Sequence, residues 1–297
     1  MLHLLRSLPV RTGHRFMSSF TFAGCQIPVT DDKFVNHSTA EKFVRQAVEE
    51  HKAQVVCLPE CWNCPYANSA FPKFAEDLSN MTESSASASL LSRLAKELKI
   101  YLIGGSIPEK DGDKLYNTSL SFGPSGELIG KFRKVHLFDV DVPGKITFIE
   151  SDTLSAGNSF TVIETEYANF GVGICFDVRF PEFTRYYQEK GCNVMVFPGA
   201  FNMTTGPAHW ELLLRSRAVD YQMFVCGVSP ARDENSSYTA WGHSSIINPW
   251  GEVISTTEHQ PAIITAKIDL EEVHSIRKQI PVIQQRRISS DLALSDA

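Results

Sequence analysis

The chain has 297 residues, of which 43% are hydrophobic and 21% are charged, and its formal net charge is −6. This length is enough for one large α/β core, and the composition is that of a globular protein. An acidic chain without a long Lys/Arg run is not expected to bind nucleic acid, and no apolar run approaches the ~20 residues that cross a membrane. The seven cysteines are an odd number in mostly apolar segments, so they indicate a reducing compartment rather than a disulfide framework.

The N-terminal residues 1–19 differ from the rest of the chain. They contain Arg6, Arg11 and Arg15, several leucines and serines, and no acidic residue. This composition is typical of a mitochondrial presequence. Because Met17 just precedes the first predicted strand, we predict a mitochondrial form that starts at Met1 and a cytoplasmic form that starts at Met17. The C-terminal residues 289–297 are predicted to be a loose tail.

From residue 20 onward, predicted strands and helices alternate, and hairpins with Pro/Gly turns interrupt the alternation. Strands are predicted at 20–29, 54–58, 100–106, 170–176, 193–197 and 224–229. Helices are predicted at 38–51, 87–98, 181–190 and 207–221.

Two pairs of segments resemble each other. Residues 55–63 and 194–202 each form an apolar strand that ends in proline and is followed by an aromatic–Asn pair. The predicted hairpin turns at 123–129 and 248–254 share the sequence Pro-x-Gly-Glu. These separations suit two similar halves, each with one sheet, with the sheets packed face to face between outer helices. Chance similarity between turns is the alternative.

Cys175 stands where an apolar strand meets a charged turn and a proline-led helix start, in the sequence Gly-Ile-Cys-Phe-Asp-Val-Arg. A rigid strand end close to a helix N-terminus favours a thiolate nucleophile. The alternative is a buried structural cysteine, which is a common fate of this residue type.

A cysteine nucleophile needs a proton acceptor, and no histidine in the sequence is a convincing base. Glu60 follows a buried strand, where a carboxylate that points into the core is costly unless it is used; a side chain that turns to solvent is the alternative. Strand alternation places Lys131 and Arg133 on one face and Lys134 on the other, with Phe132. A solvated basic cluster is the alternative here, but a buried lysine near a cysteine would stabilise an oxyanion.

Three motifs, Leu-Pro-Glu at Glu60, Arg-Lys-Val-His at Lys134 and Gly-Ile-Cys-Phe-Asp-Val-Arg at Cys175, resemble in order and spacing the Glu-Lys-Cys triad of the nitrilase superfamily of carbon–nitrogen hydrolases. The resemblance covers residues 20–288, and the runs 138–150 and 198–211 resemble its omega-amidase branch. It implies one hydrolase domain with a four-layer α/β/β/α sandwich and internal pseudo-twofold similarity.

The resemblance also implies amide hydrolysis through a thioester on Cys175. Glu60 would be the proton acceptor, and Lys134 would be the proton donor that stabilises the oxyanion together with the backbone N–H of Phe176. Glu150 matches a second glutamate that supports the lysine and the substrate, although as a bare sequence feature it fits a surface loop equally well. No step requires a cofactor, and no metal is expected.

Members of the omega-amidase branch act on short 2-oxo dicarboxylate monoamides such as 2-oxoglutaramate and 2-oxosuccinamate, so a cation should meet the remote carboxylate. Arg179 is the first candidate, with a structural salt bridge to Asp177 or Glu182 as the alternative. Further pocket residues are expected beyond the two similar strand ends, namely Tyr66, Phe201, Thr204 and Thr205.

Other readings of the sequence stay open at this point. A deaminated-glutathione amidase is the nearest alternative, nitrile hydrolysis is more remote, and a catalytically silent binding or scaffold protein is the alternative outside enzymes. The family commonly dimerises by packing helices such as 207–221, so a homodimer is expected. Cys61-x-x-Cys64 has no second cysteine pair and therefore predicts neither a zinc site nor a redox site.

Overall fold

The computed structural model describes residues 19–79 and 85–287. The predicted presequence, apart from Ser19, and the predicted C-terminal tail lie outside these ranges. Within the described residues, the strands form one sheet of eight strands, one of six strands and a two-stranded ribbon.

The strands of the first half are β1 (Ser19–Gln26), β2 (Val55–Cys57), β3 (Glu76–Asp77), β4 (Tyr101–Ile103), β5 (Ile107–Asp111), β6 (Lys114–Phe122) and β7 (Leu128–Arg133). The ribbon consists of β8 (Asp139–Val142) and β9 (Ile146–Ile149). The remaining strands are β10 (Val162–Glu164), β11 (Asn169–Val172), β12 (Val194–Pro198), β13 (Phe224–Val228), β14 (Ser245–Ile247), β15 (Val253–Thr256) and β16 (Ala262–Asp269). The helices are α1 (Lys33–Glu49), α2 (Phe71–Phe74), α3 (Ala86–Leu98), α4 (Pro181–Glu189), α5 (Gly206–Tyr221), α6 (Leu270–Gln279) and α7 (Val282–Gln285).

Each sheet has a parallel centre. The first sheet has the order β16-β1-β2-β4-β6-β5-β3, with β7 beside β6, and β1, β2 and β4 run parallel. The second sheet has the order β10-β11-β12-β13-β14-β15, and β11, β12 and β13 run parallel. The carboxyl ends of the central strands in each half therefore meet at one edge of its sheet, which is where open α/β sheets place their sites.

The alternation of side chains along the strands creates the layers. Phe22 and Val55 of the first sheet enter a core that they share with the second sheet, whereas Ala23 and Val56 pack on the other face against α1 and α3. On the outer side of the second sheet, α5 lies so close to β13 that a Cβ at Gly227 would come within 2.5 Å of a side-chain atom of α5. The predicted α/β/β/α sandwich is confirmed.

The predicted similarity of the two hairpin turns is visible in their hydrogen bonds. Gly123 N–H donates to the Glu127 carbonyl at 2.9 Å, and Asn248 N–H donates to the Glu252 carbonyl at the same distance. Gly126 and Gly251 occupy the left-handed region, with φ of +85° and +88°, which explains the shared glycine. The two turns therefore have one design, as two similar halves require.

One predicted boundary is clearly wrong. The first helix was expected to start at Ser38, but α1 starts at Lys33 because Asp32 caps it. The Asp32 carboxylate accepts hydrogen bonds from the N–H groups of Phe34 at 2.8 Å and Val35 at 3.2 Å. Such a cap satisfies amides that have no intrahelical partner, so it outweighs the weaker apolar periodicity of this first turn.

Candidate active site

Glu60, Lys134 and Cys175 come together between the two sheets, each just beyond a strand. Glu60 follows β2, Lys134 is the residue after β7, and Cys175 lies three residues beyond β11. Lys134 Nζ is 3.0 Å from Glu60 Oε1, and the Glu60 carboxylate lies close enough to the Cys175 thiol to raise its pKa. All three side chains are buried. The structure thus places the predicted triad in one contiguous cluster.

Cys175 lies on a sharp turn and not on a strand. The strand predicted at 170–176 ends at Val172, and residues Cys175–Arg179 form a 3₁₀ helix. Cys175 itself has a φ of +48°, a conformation that costs of order 1–3 kcal/mol for a residue with a side chain. The turn is tightly enclosed, since a Cβ at Gly199 would lie 3.1 Å from Cys175 Cα. The prediction was wrong about the element that presents the thiol.

Burial determines the resting state of the thiol. It raises the pKa of Cys175 well above the usual value, the Glu60 carboxylate raises it further, and the Lys134 ammonium opposes both. In the free protein, burial therefore outweighs any stabilisation of the thiolate by a helix N-terminus. The thiol rests protonated and needs a base at the moment of reaction.

Glu60 is placed to act as that base. Its Oε1 accepts hydrogen bonds from Asn117 Nδ2 at 2.9 Å and from Lys134, and its Oε2 accepts one from the Ala200 N–H at 2.7 Å. Burial raises the pKa of Glu60, Lys134 lowers it and Glu150 raises it, with a net rise above the usual value. A carboxyl group with a raised pKa can both take up and return a proton near neutral pH.

Glu150 is not a surface residue, because it is buried beside Lys134. Its Oε2 lies 2.9 Å from Lys134 Nζ and accepts a hydrogen bond from the Phe138 N–H at 2.6 Å. Burial lowers the pKa of Lys134, but Glu150 and Glu60 outweigh it and raise the value well above normal. Lys134 therefore stays charged, as an oxyanion partner must.

Two residues of the site were not predicted. Asn117 lies in β6, and its side-chain amide donates to Glu60. Its backbone carbonyl accepts a hydrogen bond from the Lys134 N–H at 2.8 Å. Tyr238 donates from its hydroxyl to the Ala200 carbonyl at 2.5 Å. The sequence of β6 around Asn117 is rich in polar residues, so it does not single out this amide, and the loop around Tyr238 carries no signal either.

Arg179 lies at the edge of the site between two aromatic rings. Its guanidinium carbon is 5.3 Å from the centroid of Phe176 and 5.0 Å from that of Phe201. Its Nη1 is 3.3 Å from His209 Nδ1, and its buried Nε has no hydrogen-bond partner among the described residues. Within the same part of the chain no carboxylate pairs with Arg179, so the alternative of a structural salt bridge is not supported.

The other expected pocket residues fall into two groups. Tyr66 is in the site, since its hydroxyl is 3.2 Å from Glu150 Oε1 and 3.4 Å from Lys134 Nζ. Thr204 and Thr205 donate their N–H groups to Asn202 Oδ1, both at 2.9 Å, in the turn before α5. Those hydrogen bonds organise the turn and do not reach the triad.

The described residues contain neither a cluster of metal ligands nor a disulfide. Among the described residues, no three His, Cys, Asp or Glu side chains are grouped to hold a metal ion. Cys61 and Cys64 are free thiols buried in the core. No helix in the described ranges has the length and apolarity to span a bilayer.

A buried Glu-Lys-Cys cluster between two sheets of an α/β/β/α sandwich defines a carbon–nitrogen hydrolase. The carbon-nitrogen hydrolase family model matches residues 21–278, and the chain belongs to this family. Among its relatives, human omega-amidase NIT2 is 52% identical over 93% of this chain and 97% of its own length. The chloroplastic omega-amidase of Arabidopsis thaliana is 50% identical over 91% of this chain and 73% of its own length.

A solved structure agrees with these relatives. The crystal structure of Saccharomyces cerevisiae Nit3, a member of branch 10 of the nitrilase superfamily, has a TM-score of 0.85 and 43% identity to this chain. The match covers 92% of this chain and 98% of Nit3. The predicted family and fold are confirmed.

Proposed function

We propose that this chain is an omega-amidase, which hydrolyses short 2-oxo dicarboxylate monoamides such as 2-oxoglutaramate and 2-oxosuccinamate to the 2-oxo dicarboxylate and ammonia. The observation that carries the proposal is the buried cluster in which Glu60 contacts Lys134 and lies close enough to Cys175 to raise the pKa of its thiol. Two omega-amidases with about half of their residues identical over more than nine-tenths of this chain support the same activity.

In the acylation step, Glu60 takes the proton of the Cys175 thiol while the sulfur attacks the amide carbon. The oxyanion forms near the Lys134 ammonium and the N–H of Phe176, which lies in the first turn of the 3₁₀ helix, where amides have no intrahelical acceptor. Glu60 then passes the proton to the amide nitrogen. The C–N bond breaks, ammonia leaves, and a thioester remains on Cys175.

In the deacylation step, Glu60 takes a proton from a water molecule that attacks the thioester carbon. The C–S bond breaks, and the sulfur recovers the proton from Glu60. The acid product releases the remaining water proton to solvent and leaves as the carboxylate, and the thiol is restored in its resting protonated state. Each step uses only residues of this chain.

Substrate selection is proposed to depend on Arg179. A guanidinium with no carboxylate partner among residues 19–79 and 85–287, held between Phe176 and Phe201, suits the planar carboxylate at the far end of the substrate. Tyr66 is proposed as a further pocket wall, because it contacts both Lys134 and Glu150. The roles of Thr204 and Thr205 in binding stay predictions.

Ammonia release from 2-oxoglutaramate, deaminated glutathione and a simple nitrile tests the activity. We expect the highest kcat/KM with 2-oxoglutaramate, and we expect Cys175→Ala to reduce it by at least about a thousandfold while its circular dichroism stays unchanged. A higher kcat/KM with deaminated glutathione would instead favour the neighbouring amidase specificity. Substantial turnover by Cys175→Ala would refute the nucleophile.

Two further proposals concern the whole protein. Residues 1–19 direct a mitochondrial form, and a start at Met17 yields a cytoplasmic form; a fluorescent fusion of residues 1–20 that stays outside mitochondria would contradict the first of these. The protein forms a homodimer through α5, whose outer face exposes Leu212 and Val219.

A further inference from the structure

The carboxylate of Asp177 connects two parts of the active site that come from different sheets. Asp177 is two residues beyond Cys175 and is fully buried. Its Oδ2 accepts a hydrogen bond from the N–H of Ile174 at 2.8 Å, directly before the nucleophile. Its Oδ1 accepts one from the N–H of His136 at 2.9 Å, two residues beyond Lys134. One carboxylate thus ties the thiol turn to the segment that carries the oxyanion lysine.

The thiol turn needs such a support. Cys175 has a φ of +48°, and a backbone in this region persists only where its surroundings hold it. Asp177 holds Ile174, the residue before Cys175, at both of its backbone polar groups, since the Asp177 N–H also donates to the Ile174 carbonyl at 3.1 Å. These contacts set where the sulfur and the Phe176 N–H point.

His136 completes the connection through its ring. Its Nδ1 is 2.7 Å from Asp177 Oδ1, and because a carboxylate only accepts, Nδ1 carries the proton. The imidazole also stacks on Phe180, with ring centroids 3.6 Å apart and planes 11° from parallel. The ring therefore has two separable roles, as a hydrogen-bond donor to Asp177 and as a packing surface for Phe180.

We propose that Asp177, held by His136, is a positioning residue that keeps the Cys175 thiol correctly placed relative to the Lys134 ammonium. Neither side chain needs to touch the substrate, and both act through the backbone on either side of them. The inference rests on the proposed amidase chemistry and adds the device that aligns its two halves. A misplacement of about 1 Å between reacting groups can cost on the order of a hundredfold in rate, so loss of this alignment should lower kcat.

A matched pair of variants at His136 separates positioning from simple packing. His136→Asn keeps a donor near the place of Nδ1 and loses the ring that stacks on Phe180. His136→Phe keeps the stacked ring and loses the donor. We expect kcat within about threefold of wild type for His136→Asn and about tenfold lower for His136→Phe, with KM unchanged in both. Thermal stability should fall more for His136→Asn.

Asp177→Asn is the complementary variant. Asparagine offers one acceptor oxygen where three donors converge, so the N–H of Ile174 or of His136 loses its partner. We expect kcat to fall about a hundredfold while KM stays within about twofold. The rate of Cys175 alkylation by iodoacetamide, followed by mass spectrometry, should fall in the same order across the three variants.

The alkylation rate tests the positioning role independently of the proposed substrate. A wild-type protein that does not hydrolyse 2-oxoglutaramate would refute that substrate. The order of the alkylation rates would still support or overturn the positioning role of Asp177 and His136. If activity and alkylation follow thermal stability, with His136→Phe close to wild type and His136→Asn impaired, then His136 only packs against Phe180. If Asp177→Asn raises KM and leaves kcat and alkylation unchanged, the positioning role is overturned.

Discussion

Two glutamates share one lysine in the buried triad, and their surroundings give them different roles. Glu150 accepts hydrogen bonds from Tyr66, Lys134 and the N–H of Phe138, so it acts as a fixed counterion. Glu60 has a pKa raised by burial and lies close enough to the thiol to raise the pKa of Cys175, so it can exchange a proton with it. Two carboxyl groups with environments that differ in this way can divide structural support from acid–base work.

Arg179→Lys tests the proposed carboxylate site at the same scale. Lysine keeps the charge but loses the planar pair of donors, so we expect kcat/KM for 2-oxoglutaramate to fall about 10- to 100-fold. For a neutral amide of similar length, kcat/KM should change less than about threefold. Steady-state ammonia release with both substrates provides the measurement.

Arg232→Lys is a suitable control for that prediction. Arg232 also faces an aromatic ring, with its guanidinium carbon 5.0 Å from the Trp241 centroid, but it contacts backbone carbonyls and not the triad. The Arg232→Lys variant should leave the ratio of kcat/KM between the two substrates unchanged. An equal loss on both substrates in Arg179→Lys would show that Arg179 is structural.

Among the secondary structure elements, strand alternation carried the most reliable information. It predicts that Lys131 and Arg133 lie on one face of the chain and that Lys134, the residue after β7, lies on the other. In the structure, Lys131 and Arg133 both pair with Glu109, while Lys134 enters the triad. A period of two is a local geometric property, so a sequence of six residues is enough to reveal it.

The missed features depend on contacts between distant elements. Asn117 and Glu60 are 57 residues apart, and Ala200 and Glu60 are 140 residues apart. The left-handed turn at Cys175 is likewise held by bonds to other segments, including His136. The triad itself was predictable because its motifs resemble those of a family, whereas no local pattern encodes which backbone groups hold its members.

The molecule as a whole joins two similar halves, and the triad needs both. Glu60 and Lys134 come from the first sheet, and Cys175 comes from the second. The apolar core between the sheets therefore fixes the distance between base and nucleophile, as well as stabilising the fold. The outer face of the second half still leaves apolar side chains uncovered.

That uncovered surface leads to the prediction for the homodimer. Leu212 and Val219 of α5 are 62% and 51% exposed, and Trp250 of the adjacent hairpin turn is 54% exposed. In a twofold interface each residue is buried twice, so charges there are costly. We expect the double variant Leu212→Asp and Val219→Asp to raise the dimer dissociation constant at least about a hundredfold, measured by light scattering after size exclusion. Phe34→Asp, a control at a residue 78% exposed on α1, should leave the dimer intact; a dimer unaffected by the α5 charges would place its interface elsewhere.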